Sequence, residues 1–179
     1  MYLASYDSPL GAITLAADDD YLRGLWFDGQ RYDRLGLTPG SALRETPILA
    51  LTRRWLDVYF AGEAPDFTPP YRVDGSEFKR AVSAAMAAIP RGETRSYGDL
   101  ARVVAKTMGR ARTAPQAVGG AVGHNPLSII VPCHRVVGSD GSLVGYAGGL
   151  ERKRRLLELE GIDLAAARLF LPTNRTGTA

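Results

Sequence analysis

The sequence predicts an α+β protein: a small N-terminal β-sheet domain with one or two helices, followed by a mostly helical C-terminal domain containing a helix-turn-helix. Two observations carry this prediction. Short apolar runs separated by turn residues fill residues 1–30. A proline- and glycine-containing stretch occupies 62–75, and the apolar stripes beyond it mostly have helical spacing. We therefore expect domains at 1–75 and 76–165, with a tail at 166–179.

The N-terminal domain is predicted to begin with three strands. Apolar runs at 2–6, 12–17 and 21–27 are separated by the turn residues at 7–11 and the three aspartates at 18–20. Connections this short join antiparallel neighbours, because a parallel crossover needs a dozen residues or more. These strands are expected to form the N-terminal sheet.

Apolar residues three and four positions apart predict the longer helices. Residues 47–60 have one apolar face and precede Gly62. In the second domain, a stripe runs from Phe78 to Ile89 and stops at Pro90. A basic helix is expected from Leu150 to Glu160, before Gly161. The apolar face of the first helix contains Leu51, Trp55, Val58 and Tyr59.

Two short helices between these stripes predict the helix-turn-helix. Ser96 and Asp99 have the spacing of a capping box, and so do Thr113 and Gln116. The second helix carries only Ala, Val and Gly over residues 117–122. Side chains this small either let the helix approach another surface closely or suit a tightly packed interior helix.

Composition and charge limit the classes of protein to which this chain can belong. Apolar residues make up 45% of the 179 and charged residues 23%, as in an ordinary globular protein. No apolar run approaches the roughly 20 residues that span a bilayer, and no secretory signal is evident, so we expect a cytoplasmic protein without a membrane partner. Residues 1–75 carry a net charge of −4 and residues 76–179 one of +7. Either the C-terminal part meets a polyanion or it simply has a solvated basic surface.

The single cysteine, Cys133, has two opposed influences on its thiol. One cysteine excludes an intramolecular disulfide, and with two histidines it cannot build a cysteine-rich zinc site. Pro132 suits the first turn of a helix, whose dipole would favour the thiolate. The apolar residues 129–131 instead indicate burial, which raises the pKa of a thiol. The sequence leaves open which influence prevails.

The residues around this cysteine resemble a known family. The run Pro132-Cys133-His134-Arg135-Val136-Val137 resembles the active-site signature of the O6-alkylguanine-DNA alkyltransferases. The resemblance covers about 76–161, and residues 1–75 match only as the expected β-rich domain. Further matches, in order, are Ser96-Tyr97, Ala117-Val118-Gly119-Gly120-Ala121, Asn125-Pro126, Gly141, Tyr146-Ala147-Gly148-Gly149-Leu150 and Lys153.

The resemblance implies an irreversible reaction. An alkyl group moves from guanine O6 in DNA to Cys133, once per chain, with no metal and no cofactor. His134 is then the base that deprotonates the thiol through water, and Glu160 orients it. Tyr97 would help to protonate the departing guanine. Asn125 would be a hinge whose side chain bridges backbone groups.

The resemblance also implies how the substrate binds. The partner is double-stranded DNA, held in its minor groove largely without sequence preference by a monomer that extrudes the damaged nucleotide. O4-alkylthymine is a second candidate substrate. Residues of the C-terminal domain would hold the extruded base and contact the DNA. The pocket residues are Val136 and Tyr146, with Ser128 and Ala147 on the rim and Lys153 nearby, and the DNA contacts are Gln116, Ala117, Gly119, Arg95 and Arg135.

Gln116 departs from the family pattern. Many members have an arginine there that fills the gap left by the extruded base. Gln116 either inserts in the same way or serves only as the capping partner of Thr113, in which case Arg110 or Arg112 reaches the gap.

Two other function classes fit less well. A protein that binds damage without repairing it needs no nucleophile, so Cys133 counts against that class. A Cys–His hydrolase is disfavoured because adjacent Cys133 and His134 have poor geometry for a direct dyad, and His124 is the one other histidine.

Overall fold

The computed structural model describes residues 1–34, 36–37 and 40–172 and confirms the α+β fold class. Within this part of the chain a four-stranded sheet precedes a largely helical region. The strands are β1 Tyr2–Ser8, β2 Gly11–Ala17, β3 Leu22–Phe27, β4 Ala42–Leu43, β5 Arg95–Ser96 and β6 Val136–Val137. The helices are α1 Pro47–Phe60, α2 Glu77–Ala87, α3 Tyr97–Thr107, α4 Pro115–Gly123 and α5 Leu150–Leu159.

The N-terminal sheet has the strand order β3-β2-β1-β4. Its first three strands are antiparallel, and β4 pairs with β1 in parallel. The β1–β2 hairpin turns between the paired Ser8 and Gly11, and Gly11 has a φ of +109° that favours glycine. All three predicted strands are present.

Helix α1 joins the two domains into one core. Thr46 caps it by accepting a hydrogen bond from the Leu49 backbone N–H. Its inner face buries Leu49, Trp55, Leu56 and Tyr59 in a cluster that also contains residues of β2, β3, α2, α3 and α4. The N-terminal domain therefore packs against the C-terminal domain without a separating cleft at this core.

Helix α3 is fixed beside the cysteine segment at its N-terminal end. The predicted capping box is confirmed, since Ser96 accepts from the Asp99 backbone and Asp99 accepts from the Ser96 backbone. Strand β5 pairs in parallel with β6, so Arg95 lies opposite Val136. This pairing places Tyr97, the first residue of α3, near the residues that follow Cys133.

The second predicted capping box is wrong. Helix α4 has Ala114 at its N-cap with no side-chain hydrogen bond, and Pro115 begins the helix. The Thr113 hydroxyl is buried and has no hydrogen-bond partner in the described part of the chain. Proline already supplies a suitable φ at the first helical position and needs no partner for an N–H. Gln116 is consequently exposed and is not used as a cap.

The segment predicted to be a tail is described as far as residue 172. Leu169 is buried, and the Phe170 backbone exchanges hydrogen bonds with Gly141 and Leu143. This stretch therefore packs on the C-terminal domain. The remainder of the predicted tail, 173–179, lies outside the described residues. No helix in residues 1–34, 36–37 and 40–172 has the length and apolar character needed to cross a bilayer.

Candidate active site

Tight turns carry the chain from the end of α4 to Cys133. Asn125 is buried, and its amide Nδ2 donates to the carbonyls of Leu127 and Val131 at 3.3 and 2.7 Å. Its Oδ1 accepts from the Leu127 N–H at 3.1 Å. Ile129 has a φ of +71°, a strained conformation for a β-branched residue. Asn125 therefore bridges backbone groups as predicted and holds a bent segment together.

Cys133 lies in a hydrogen-bonded and largely apolar site. Asn125 Nδ2 donates to its Sγ at 3.1 Å, and 5% of the residue is exposed. The predicted helix is a single 3-10 turn, Cys133–Arg135, which is too short for a substantial dipole. Burial raises the pKa of the thiol, against the lowering effects of Asn125 and Lys153. Burial thus decides the balance that the sequence left open, and the resting group is a thiol.

His134 and Glu160 form a buried pair. His134 Nε2 lies 2.7 Å from Glu160 Oε1, and neither side chain is exposed. Burial lowers the pKa of His134, and the neighbouring Glu160 opposes this effect only in part. If Nε2 donates to the carboxylate, Nδ1 is left as a lone-pair acceptor. Nδ1 is buried and has no hydrogen-bond partner among the described residues.

Glu160 accepts further hydrogen bonds that keep it ionised. Arg135 donates from Nε to Oε2 at 2.8 Å and from Nη2 to Oε1 at 2.9 Å. Tyr59 in α1 donates to Oε1 at 2.8 Å. Burial alone would raise the pKa of Glu160, but His134 and Arg135 outweigh it and lower that pKa well below its usual range. The carboxylate is thus a permanent anion beside the imidazole.

Arg135 is held by hydrogen bonds within the protein. Its third donor, Nη1, bonds the Ile89 carbonyl, so all three guanidinium nitrogens are engaged within the protein. Arg135 compensates the charge of a buried carboxylate, and its predicted contact with DNA stays a prediction. Arg95 differs, since its side chain is 47% exposed and, within the described part of the chain, bonds Glu93 and the Thr94 carbonyl alone.

Two tyrosines stand beside the cysteine. Tyr97 Oη donates to the Val144 carbonyl at 3.2 Å, and burial together with the nearby Cys133 raises its pKa to about 12. Burial, with a further contribution from Cys133, also raises the pKa of Tyr146 well above its usual value. Gly145 is necessary here, because it has a φ of +70° and a Cβ on it would collide with Tyr97 Oη. Both phenols are protonated near neutral pH.

Lys153 is a buried cation close to the sulfur. It is fully buried and donates from Nζ to the carbonyls of Val136 and Val144. Burial lowers its pKa to about 8, although the nearby Cys133 favours the charged form. Lys153 therefore cross-links the two backbone segments on either side of the site, and its charge favours a thiolate at Cys133. Val136 is fully buried, and its role in holding the extruded base stays a prediction.

A cavity of about 520 Å³ opens between α4 and the loop 145–150. Gly119 and Gly120 form its α4 side, and Tyr146 and Ala147 form the opposite side. Arg31 and Tyr32, from the N-terminal domain, complete the lining. Tyr146, which is close enough to Cys133 to be influenced by its charge, lines this cavity, whereas Cys133 itself does not line it.

Ser128 is not on the rim of this cavity. It is 1% exposed, and its hydroxyl lies 3.4 Å from Oε1 of Gln30. Gln30 also accepts from the Phe27 N–H and so fixes the end of β3 against the cysteine segment. The Ser128 side chain thus connects the cysteine segment to Gln30 at the end of β3, and its predicted position on the rim of the base pocket stays a prediction. Ala147 does line the cavity, as predicted.

Models of known families match both parts of the chain. The DNA-binding domain of 6-O-methylguanine DNA methyltransferase matches residues 77–162. The ribonuclease-like domain of the same enzyme matches residues 1–73. The chain belongs to the 6-O-methylguanine DNA methyltransferase family. The activity of this family is alkyl transfer to a protein cysteine, and Cys133 is the single cysteine in the chain.

Individual members of the methyltransferase family align over most of their length. The methylated-DNA–protein-cysteine methyltransferase of Mycolicibacterium paratuberculosis is 46% identical over 157 residues, which cover 86% of this chain and 88% of the relative. That of Methanosarcina acetivorans is 42% identical, covering 90% and 99%. The structure of Mycobacterium tuberculosis OGT in complex with DNA superposes with a TM-score of 0.77 at 41% identity, covering 89% of this chain and 92% of that one.

The N-terminal domain of this methyltransferase supplies side chains that sequence reasoning did not assign to the site. Tyr59 appeared only as part of the apolar face of a helix, and Gln30 and Arg31 were not singled out. One general signal was available for Tyr59, because a buried tyrosine hydroxyl usually finds a hydrogen-bond partner. The identity of that partner, 101 residues away, depends on how the domains pack.

Proposed function

We propose that this protein repairs DNA by transferring the alkyl group of O6-alkylguanine to Cys133, irreversibly and once per chain. The observation that carries the proposal is that the sole cysteine accepts a hydrogen bond from Asn125 and is followed directly by His134, which forms a buried pair with Glu160. Sulfur is a suitable nucleophile for displacement at carbon once it is deprotonated. No residue of the chain can reduce or exchange the resulting thioether, so the protein is consumed.

His134 activates the thiol in this proposal. Cys133 Sγ loses its proton to His134 Nδ1 through a water molecule, and the Nε2 proton remains hydrogen-bonded to Glu160. A neutral imidazole is ready to accept, and the fixed negative charge of Glu160 stabilises the imidazolium that results. Lys153 and Asn125 stabilise the thiolate, by charge and by hydrogen bonding respectively. These effects offset the burial that keeps the resting thiol protonated.

The bond changes balance without a cofactor. The thiolate electron pair forms the new S–C bond while the C–O6 bond breaks and its electron pair leaves with guanine. The departing base takes up one proton, which Tyr97 helps to deliver and His134 ultimately supplies. Val136 and Tyr146 enclose the base, and the carbonyls of Cys133 and Val136 accept from its exocyclic amine.

Helix α4 is the surface that meets DNA in this proposal. Beyond Gln116 its exposed residues are small, with Ala117 and Gly120 facing solvent and Gly119 packed on the Tyr97 ring. Lys106, Arg110 and Arg112 are exposed beside its N-terminus and form no ion pair within the described residues. Small side chains allow close approach in the minor groove, and these cations supply sequence-independent affinity. The protein acts on duplex DNA as a monomer and extrudes the nucleotide into the cavity, with Gln116 at the point of insertion.

Intact-mass measurement tests this proposal. The protein is mixed with a duplex that carries one O6-methylguanine and with an unmodified duplex of the same sequence. We expect a gain of one methyl group per chain, on Cys133, from the modified duplex alone and without added metal or cofactor. Continued turnover on excess substrate would contradict a single-use reaction.

The matched variant is Cys133→Ala, which should bind the same duplex and gain no mass. Methyl uptake by Cys133→Ala would contradict the assignment of the nucleophile. A second duplex carrying O4-methylthymine shows whether that base is also a substrate.

A further inference from the structure

Tyr59 brings the N-terminal domain into contact with the pair that activates the cysteine. Its hydroxyl donates to Glu160 Oε1 at 2.8 Å, and His134 Nε2 lies 2.7 Å from the same oxygen. Tyr59 is 1% exposed, so water does not compete for this hydrogen bond. Glu160 Oε1 therefore lies within hydrogen-bond distance of three groups: the His134 imidazole, the Arg135 guanidinium and the phenol of Tyr59, which comes from the N-terminal part of the chain.

We propose that Tyr59 is a positioning residue for alkyl transfer, whose hydrogen bond to Glu160 limits the negative charge that this carboxylate presents to His134. This inference rests on the proposed function, in which His134 accepts the proton of Cys133. Tyr59 contacts neither the alkyl group nor the guanine and acts only through Glu160. It gives the N-terminal domain a part in the chemistry.

The consequence for His134 follows from its charged neighbours. Burial lowers the pKa of His134, Glu160 raises it, and Arg135 and Lys153 lower it further. A carboxylate oxygen with a second donor is a weaker acceptor for the first, so Tyr59 acts in the same direction as burial. Burial also raises the pKa of Tyr59 well above its usual value, so the phenol keeps its proton and remains a donor. Tyr59 thereby helps to keep His134 neutral.

The ring of Tyr59 is held independently of its hydroxyl. Trp55 stacks on it with centroids 5.3 Å apart, and Phe60 packs edge-on at 5.4 Å. The Arg91 guanidinium lies 5.3 Å from the ring centroid. These contacts are retained by phenylalanine, so Tyr59→Phe removes the hydrogen bond and leaves the packing in place.

The pH dependence of alkyl transfer tests the inference. Single-turnover rates are measured on saturating methylated duplex from about pH 4.5 to about pH 8, around the ordinary histidine pKa. With the donor removed, Glu160 holds a proton on His134 more strongly. The fall in the transfer rate at acid pH, which is the acid limb of the pH profile, should therefore move to higher pH. We expect a shift of about half to one pH unit, or a loss of about 3- to 10-fold in rate on that limb. A limb at the same pH in both proteins, or no acid limb in either, would overturn the inference.

Two further variants separate this effect from simple destabilisation. Trp55→Phe disturbs the stacking but keeps the hydroxyl, so it should lower stability without moving the acid limb. Incorporation of 3-fluorotyrosine at position 59 strengthens the donor and should move the limb to lower pH. It changes one ring atom, and so it also tests the inference if Tyr59→Phe does not fold. Absence of methyl uptake by the unmodified protein would count against the proposed function, whereas normal uptake with an unmoved limb counts against Tyr59 alone.

Discussion

Asn125 Nδ2 donates a hydrogen bond to Cys133 Sγ at 3.1 Å, and the same amide group holds the carbonyls of Leu127 and Val131. One side chain thus fixes the bent segment and also provides the hydrogen bond that favours a thiolate. The sulfur is otherwise in a buried site that raises its pKa. The chemistry of Cys133 depends on Asn125 for this reason.

Asn125→Ala is expected to make the cysteine less reactive. Loss of the donor raises the pKa of Cys133 further, and about one pKa unit corresponds to a tenfold smaller thiolate fraction. The measurement is the rate of carboxymethylation by iodoacetate against pH, which reports on one residue because the chain has one cysteine. Thr52→Val is the matched control, since it removes a buried hydrogen-bonding group from α1 without touching this segment. Equal rates for Asn125→Ala and the unmodified protein would show that the amide has only a structural role.

Glu160 is expected to make stability depend on acid pH. Its pKa is below the usual 4.5 in the folded protein, so the unfolded chain binds more protons as the pH falls. The stability that Glu160 contributes is complete above about pH 4.5 and is lost as the pH falls below that value. The difference in unfolding free energy between the unmodified protein and Glu160→Gln should therefore shrink below that pH.

Urea denaturation over a series of pH values measures this difference. Glu63→Gln, which changes an exposed glutamate after α1, is the matched control. A difference between the unmodified protein and Glu160→Gln that stays constant from neutral pH to about pH 3 would contradict the ionised state assigned to Glu160.

The sequence predicted the secondary-structure elements better than it predicted which side chains contact one another. Apolar spacing located β1 to β3, α1 and α2 because periodicity is a local property of the chain. The Ser96–Asp99 box was found for the same reason, whereas the Thr113–Gln116 box was wrong because Pro115 supplies the helix start by itself. The local sequence pattern does not show whether a helix begins with a capping box or with a proline when both are present.

The candidate active site shows the same limit of prediction from local sequence even more clearly. Cys133 and His134 lie in the run Pro132–Val137, and Asn125 belongs to a further match eight residues before Cys133, so the family resemblance identified all three. Arg135 belongs to the same run, yet its partner Glu160 is 25 residues away and buried, so its role could not be read from charge alone. In the basic helix α5, Lys153 is buried, Arg152 bonds the carbonyls of Leu10 and Gly148, and Arg154 pairs with glutamates, while Arg155 is exposed. Formal charge overstated the surface that is available to DNA.

Arg135 and Arg95 should therefore differ in how much each contributes to the stability of the folded protein. Arg135→Ala leaves Glu160 with less compensation in a buried site, and breaking a pair of this kind costs about 3–5 kcal/mol. Arg95→Ala changes an exposed arginine and should cost no more than about 0.5 kcal/mol. Urea denaturation of both variants at neutral pH compares them directly. Similar losses in the two variants would mean that the ion pair of Arg135 contributes little.

Gln116 should matter for duplex DNA and not for the sulfur chemistry. The residue is exposed at the start of α4 and caps nothing, so the capping explanation for it is removed. If it inserts beside the extruded base, Gln116→Ala loses about one hydrogen bond to the orphaned partner base, or about 3- to 10-fold in transfer rate on a methylated duplex. The rate on free O6-methylguanine base should stay the same, because no gap has to be filled.

Gln116→Arg, which has a longer and charged donor, should raise the duplex rate. If the duplex rate is unchanged in Gln116→Ala and Gln116→Arg alike, the insertion must come from Arg110 or Arg112 instead.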